Sequence, residues 1–86
     1  MKRSDYYCLS VKMALNASIL GERGQSSIYA CLKDMEEIWA RMTDLEIEET
    51  KTRVKEQVQH FLDVQEILER PVINNAVVER IIAIAQ

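Results

Sequence analysis

Eighty-six residues with 48% apolar and 29% charged side chains suit one small globular domain, residues 1–86, and two glycines with one proline are too few for a turn-rich β protein. A net charge of −3 works against nucleic acid and anionic membranes, because Lys2 and Arg3 sit at the N-terminus and Lys51, Arg53 and Lys55 are offset by Asp44, Glu46, Glu48 and Glu49. No stretch approaches the ~20 apolar residues of a membrane span and no apolar h-region follows Met1, so the expectation is a cytoplasmic protein or one exported without a cleaved signal.

The first predicted helix runs from Tyr6 to Leu20, with Ser4 as N-cap and Gly21 as terminator. Tyr6, Leu9, Met13 and Leu20 lie on one side, and Tyr7, Val11, Ala14 and Leu15 cover another. Asp5, Lys12 and Asn16 leave only a narrow polar strip. A helix apolar around most of its circumference belongs at the centre of a bundle.

After a loop, Gly21 to Gln25, either Ser26 or Ser27 is placed to cap a second helix ending near Met42. Its stripe of Ile28, Leu32, Met35, Trp39 and Met42 recurs at spacings of four and three, flanked by Cys31 and Ile38. Lys33, Asp34, Glu37 and Arg41 form the solvated face.

Thr43-Asp44-Leu45-Glu46 is a capping box and starts a third helix expected to run over about residues 44–70, ended by Pro71. At 1.5 Å per residue its ~26 residues span about 39 Å. A domain of this length has a diameter of roughly 31 Å. Apart from Val54, Glu48 to Gln57 is polar, whereas Val58, Phe61, Leu62 and Leu68 give the second half an apolar face. The first half is therefore expected to project into water, to gain order from a partner, or to break near Thr50 or Thr52, where β-branching weakens helix propensity.

Asn74 or Asn75 caps a short last helix, Ala76 to Ala85, bearing Val77, Val78, Ile81, Ile82 and Ile84. Such a segment is unstable alone and must dock, on its own bundle or on a second copy. The expected fold is an all-α bundle of about four helices, with the second and third helices paired antiparallel.

The chemistry-bearing residues do not converge. His60 has Glu56 and Asp63 within one turn, an arrangement commoner as a solvated helix face than as a functional contact. Cys8 and Cys31 fall on apolar faces, as buried thiols do. One histidine cannot supply a dinuclear carboxylate site, and no spacing calls for zinc, a cofactor or a nucleophilic triad. The loop residues Arg23, Gly24, Ser26 and Ser27 form a candidate anion site for phosphate or a partner carboxylate, since amides at a helix N-terminus favour anions, with an ordinary interhelical turn as the simpler reading.

The expectation is a protein–protein interaction module without enzymatic activity, acting as a regulator, adaptor, inhibitor or chaperone, or as a homodimer. Its surface is assigned to Trp39, Val58, Phe61, Leu62, Leu68, Val77, Ile81 and Ile84, around a groove between the last two helices. The alternative is a small DNA-binding transcription regulator using Lys2, Arg3, Arg23 and the basic part of the third helix. Asp34, Glu36 and Glu37 on the second helix oppose it.

Overall fold

The computed structural model describes residues 2–86 and contains four α-helices: α1 (Arg3–Ala17), α2 (Gln25–Arg41), α3 (Asp44–Ile67) and α4 (Asn75–Ile84). A 3-10 turn, Gly21–Gly24, leads directly into α2. As its sequence demands, α1 is the central element, packed by all three other helices and most closely by α2. Tyr7, Val11, Ala14 and Leu15 are almost wholly enclosed, and with Met35, Val54 and Ile81 they form the middle of the core.

The expected antiparallel pairing of α2 with α3 does not occur, because α1 lies between them. An apolar helix gains most by taking two broad partners, one on each side. The register of α3 on α1 is polar: Arg3 pairs with Glu46 at 3.1 Å, Arg53 donates to Asp5 Oδ1 at 2.8 Å, and Gln57 donates to the Cys8 carbonyl at 2.7 Å. Residue numbers rise together on both helices, so α1 and α3 run parallel.

These contacts explain why the polar half of α3 neither projects nor breaks. Thr50 and Val54 are buried, and Arg53 reaches Ser4 as well as Asp5 on α1. Ser4 is thus a buried partner of α3 and not the N-cap. Lys2 occupies the cap position, and its amide donates to Asp5. The helix is continuous over 24 residues, about 36 Å at 1.5 Å per residue, which fits within the 37 Å longest extent of the molecule.

Helix ends differ from expectation for local reasons. Ser26 and Ser27 cap nothing, since the 3-10 turn delivers the chain into α2 already helical at Gly24. Helix α3 stops at Ile67, three residues short of Arg70. There Glu69 takes a left-handed φ of 54°, while the Arg70 amide donates to the Gln65 carbonyl and the Glu69 amide to that of Glu66. This is a Schellman motif, with Pro71 following it. Asn74 then caps α4 by accepting the Val77 amide, and its own amide donates to the Ser18 carbonyl, pinning the start of α4 to the end of α1.

Helix α4 closes the core within its own chain, burying Val77, Val78 and Ile81. No helix of the described residues is long and apolar enough to cross a membrane. Cys8 and Cys31 are buried free thiols, and desolvation pushes both above the ordinary thiol range.

Candidate functional site

Both α2 and α4 lie on α1, but they scarcely touch each other. The result is a groove with α1 as its floor. One end is lined by Tyr7, Leu32, Met35, Glu36, Trp39, Arg80 and Ile84 and holds about 270 Å³. The other, of about 210 Å³, is lined by Gln25, Ile28, Tyr29, Leu32, Asn74, Ala76, Val77 and Arg80. Leu32 and Arg80 line both, so the two pockets adjoin along the seam between α2 and α4.

Sequence periodicity builds the walls. Ile28, Leu32, Met35 and Trp39 follow the same stripe of α2, and Val77, Arg80 and Ile84 follow one stripe of α4 at spacings of three and four. From Ile28 to Trp39 is about 16 Å of helix, the length of a three-turn segment. Trp39 is fixed by Tyr7, their ring centroids 5.3 Å apart and tilted by 50°. Burial lifts the Tyr7 phenol to about 12, so this ring stays neutral in water at ordinary pH.

The electrostatics of the groove are sparse. Arg80 is exposed midway along it, and among the described residues it has no ion-pair partner; Glu36 lines one end only. A cation without a partner beside apolar walls favours a ligand that brings one carboxylate on an otherwise apolar surface.

The residues assigned from sequence disperse over the fold. Trp39, Val77 and Ile84 line this groove. Val58 and Leu62 line a smaller cleft of about 200 Å³ between α3 and α4, the one expected to take the partner, with Ile82 opposite. Phe61 faces a third cleft, between α1 and α3. Ile81 is fully enclosed and presents no surface, while Leu68 is exposed at the end of α3. What sequence reasoning missed is Arg80, Tyr29 and Tyr7. The available signal was a lone arginine between Val77 and Ile84 on an apolar helix face.

The candidate anion site is not assembled as a site. Arg23, Ser26 and Ser27 are exposed, but Gly24 is buried against Ala17 and Leu20, where it serves packing. The Gln25 amide at the helix start already donates to the Glu22 carbonyl. His60 is exposed, and its neighbour Asp63 accepts instead from Gln59. Of the basic residues considered for DNA, Arg3 is paired with Glu46, Arg53 with Asp5 and Lys51 with Glu48.

No protein-family model, curated protein or solved structure matches this chain.

Proposed function

We propose that the protein is a small interaction module that receives an amphipathic helix of a partner protein in the groove between α2 and α4, acting as an adaptor or regulator. The observation that carries this reading is the groove itself. Its two adjoining pockets run for about three helical turns, with apolar side chains of both helices along them, Trp39 held at one end and a cation without a partner, Arg80, in the middle. Helix-in-groove recognition uses anchors at i, i+3, i+4 and i+7 on the incoming helix, and tryptophan and arginine are the side chains that most often dominate such interfaces. The two free buried thiols accord with work in a reducing compartment such as the cytoplasm.

Partner capture compared between the native chain and a Tyr29→Ala, Arg80→Glu double variant tests the proposal. Both side chains are exposed, so the variant is expected to keep its helical circular dichroism. A specific partner should be lost from the variant and quench or shift Trp39 fluorescence in the native chain. Equal capture by both proteins would remove the groove from consideration.

Self-association is favoured by a separate observation. On the far side of α1, Tyr6, Leu9 and Met13 are 47–53% exposed and border a cleft with Ile38, Asp34 and Arg41. Since α1 and α2 run antiparallel, Arg41 lies at the Tyr6 end and Asp34 at the Met13 end. A two-fold axis through Leu9 would set each Arg41 against the other copy's Asp34, the self-complementarity of an isologous dimer, while the two Glu37 carboxylates, which line the same cleft nearer the axis, would oppose it. Light scattering of the native chain and Leu9→Glu decides it: a dimer abolished by the substitution supports this surface, and a native monomer at high concentration rejects it.

A further inference from the structure

A cleft of about 420 Å³ lies between α1 and α3 and is lined by Lys12, Leu15, Asn16, Gln57, His60, Phe61, Val64, Gln65 and Arg70. No carboxylate lines it. Among the described residues, two buried side-chain polar atoms lack a hydrogen-bond partner, Gln57 Oε1 and Gln65 Oε1, and both residues line this cleft. Buried acceptors without a donor are uncommon in folded proteins, and each calls for one. Gln65 is 95% buried by its 5% exposure, so bulk water does not supply the donor.

We infer that this cleft binds the carboxyl terminus of an extended peptide. Gln57 and Gln65 stand eight residues apart on α3, about 12 Å along the helix, which an extended chain covers in roughly four residues. The ligand must carry N–H donors toward both glutamines, and a peptide backbone repeats such donors along its length. Gln57 keeps its Nε2 on the Cys8 carbonyl, and the soft terminal torsion of Gln65, which makes no side-chain hydrogen bond among the described residues, lets that oxygen turn toward the cleft without disturbing α3.

Charge sets the direction. Since α1 and α3 are parallel and Cys8 lies opposite Gln57, Lys12 falls one turn further on, level with Phe61, whereas Arg70 stands beyond Gln65 at the end of the cleft. The Schellman motif that ends α3 holds the Arg70 amide on the Gln65 carbonyl, returning Arg70 to the mouth of the cleft. Its planar guanidinium matches a terminal carboxylate bidentately. Leu15, Phe61 and Val64 supply an apolar wall for the last side chain, and Lys12 favours an acidic residue about three positions upstream. A single phosphate cannot reach two glutamine oxygens carried about 12 Å apart along α3 and is the poorer fit. This site is separate from the groove between α2 and α4 and does not depend on it.

The test uses the whole chain, labelled with ¹⁵N, and the tetrapeptide acetyl-Glu-Ala-Ala-Leu with a free carboxylate. Saturable binding is expected, with the side-chain amide signals of Gln57 and Gln65 shifting most. The same peptide ending in a carboxamide, or the native peptide on Arg70→Gln, should bind at least about tenfold more weakly, the size of one charge-assisted hydrogen bond. Arg70 is exposed, so this variant keeps the fold; Tyr29→Ala, Arg80→Glu should bind as the native chain does. Equal affinity for carboxylate and carboxamide, equal affinity for acetyl-leucine alone, or shifts confined to residues outside the cleft would each overturn the assignment, as would no shift at millimolar peptide.

Discussion

Replacing Gly24 by alanine sets two physical effects of opposite sign against each other. Gly24 has φ −90° and ψ −10°, a right-handed helical conformation that alanine adopts freely. Local reasoning therefore predicts stabilisation by about 0.4–1 kcal/mol, through a less flexible unfolded chain. The tertiary structure predicts the reverse. A Cβ at this position would overlap the Ala17 carbonyl oxygen and stand 3.1 Å from its carbon and 3.2 Å from Leu20 Cβ. The obstacle is backbone in the last turn of α1, so no side chain can rotate away. Overpacking of this kind costs typically 1–3 kcal/mol, and here the rigid neighbour places it at the upper end. The net expectation is a loss of about 2 kcal/mol, a large share of the roughly 4–13 kcal/mol typical for a chain of this length. In urea, with a slope of about 1–3 kcal/mol per molar, the midpoint should fall by about 1 M. Gly21 is the control. Its φ of 64° is unfavourable for alanine but its surroundings are open, so Gly21→Ala should lose only about 1 kcal/mol. A raised midpoint for Gly24→Ala, or a greater loss at Gly21, would refute the packing argument.

Three further outcomes are expected. Ile81→Ala should cost about 2–5 kcal/mol in urea unfolding, because Ile81 is 0% exposed where α4 meets α1 and α3; a loss below about 1 kcal/mol would mean that α4 does not close the core. Glu69→Gly should raise the melting temperature, relieving a left-handed residue worth about 1 kcal/mol at a position where glycine is customary; a lowered melting temperature would count against the Schellman reading. The third concerns acid. Asp5 is held below its ordinary 3.8 by Arg53 and then by the Lys2 amide, and Glu46 below 4.5, first by the Thr43 amide. Folded values below unfolded ones give stability that is complete above those ordinary values and is lost as pH falls through the folded ones. Urea midpoints should thus drop below about pH 4.5, less steeply in Arg53→Met, whereas an identical decline in that variant would show that Arg53 does not hold Asp5.

The helices were legible because each is announced by local chemistry that tertiary structure had no reason to override. The stripe of α2, the capping box at Thr43 and the Asn74 cap all appear where periodicity and cap residues placed them. What failed were inferences about neighbours. Polarity in the first half of α3 reads as solvent exposure if each residue is weighed alone, yet Arg53 and Gln57 spend their donors on Ser4, Asp5 and the Cys8 carbonyl. Only the parallel register of the two helices makes those partners, 48 or 49 residues apart in the chain, adjacent. The candidate interface suffered likewise. Val58, Phe61 and Leu62 share an apolar face of α3, but successive residues of that face point into different clefts.

That dispersal follows from the number of helices. A central helix apolar around most of its circumference asks for more neighbours than three, and α2, α3 and α4 cannot enclose it. Each gap between satellites then becomes a cleft floored or walled by α1: Tyr7 under the groove of α2 and α4, Leu15 beside α3, and Leu9 beyond α2. The side chains bordering these gaps differ in kind, with Arg80 and Glu36 in the first, amides and cations in the second, and Asp34, Glu37 and Arg41 in the third. An incomplete shell around α1 leaves room for ligands, and those differing rims are what would let each gap select a different one.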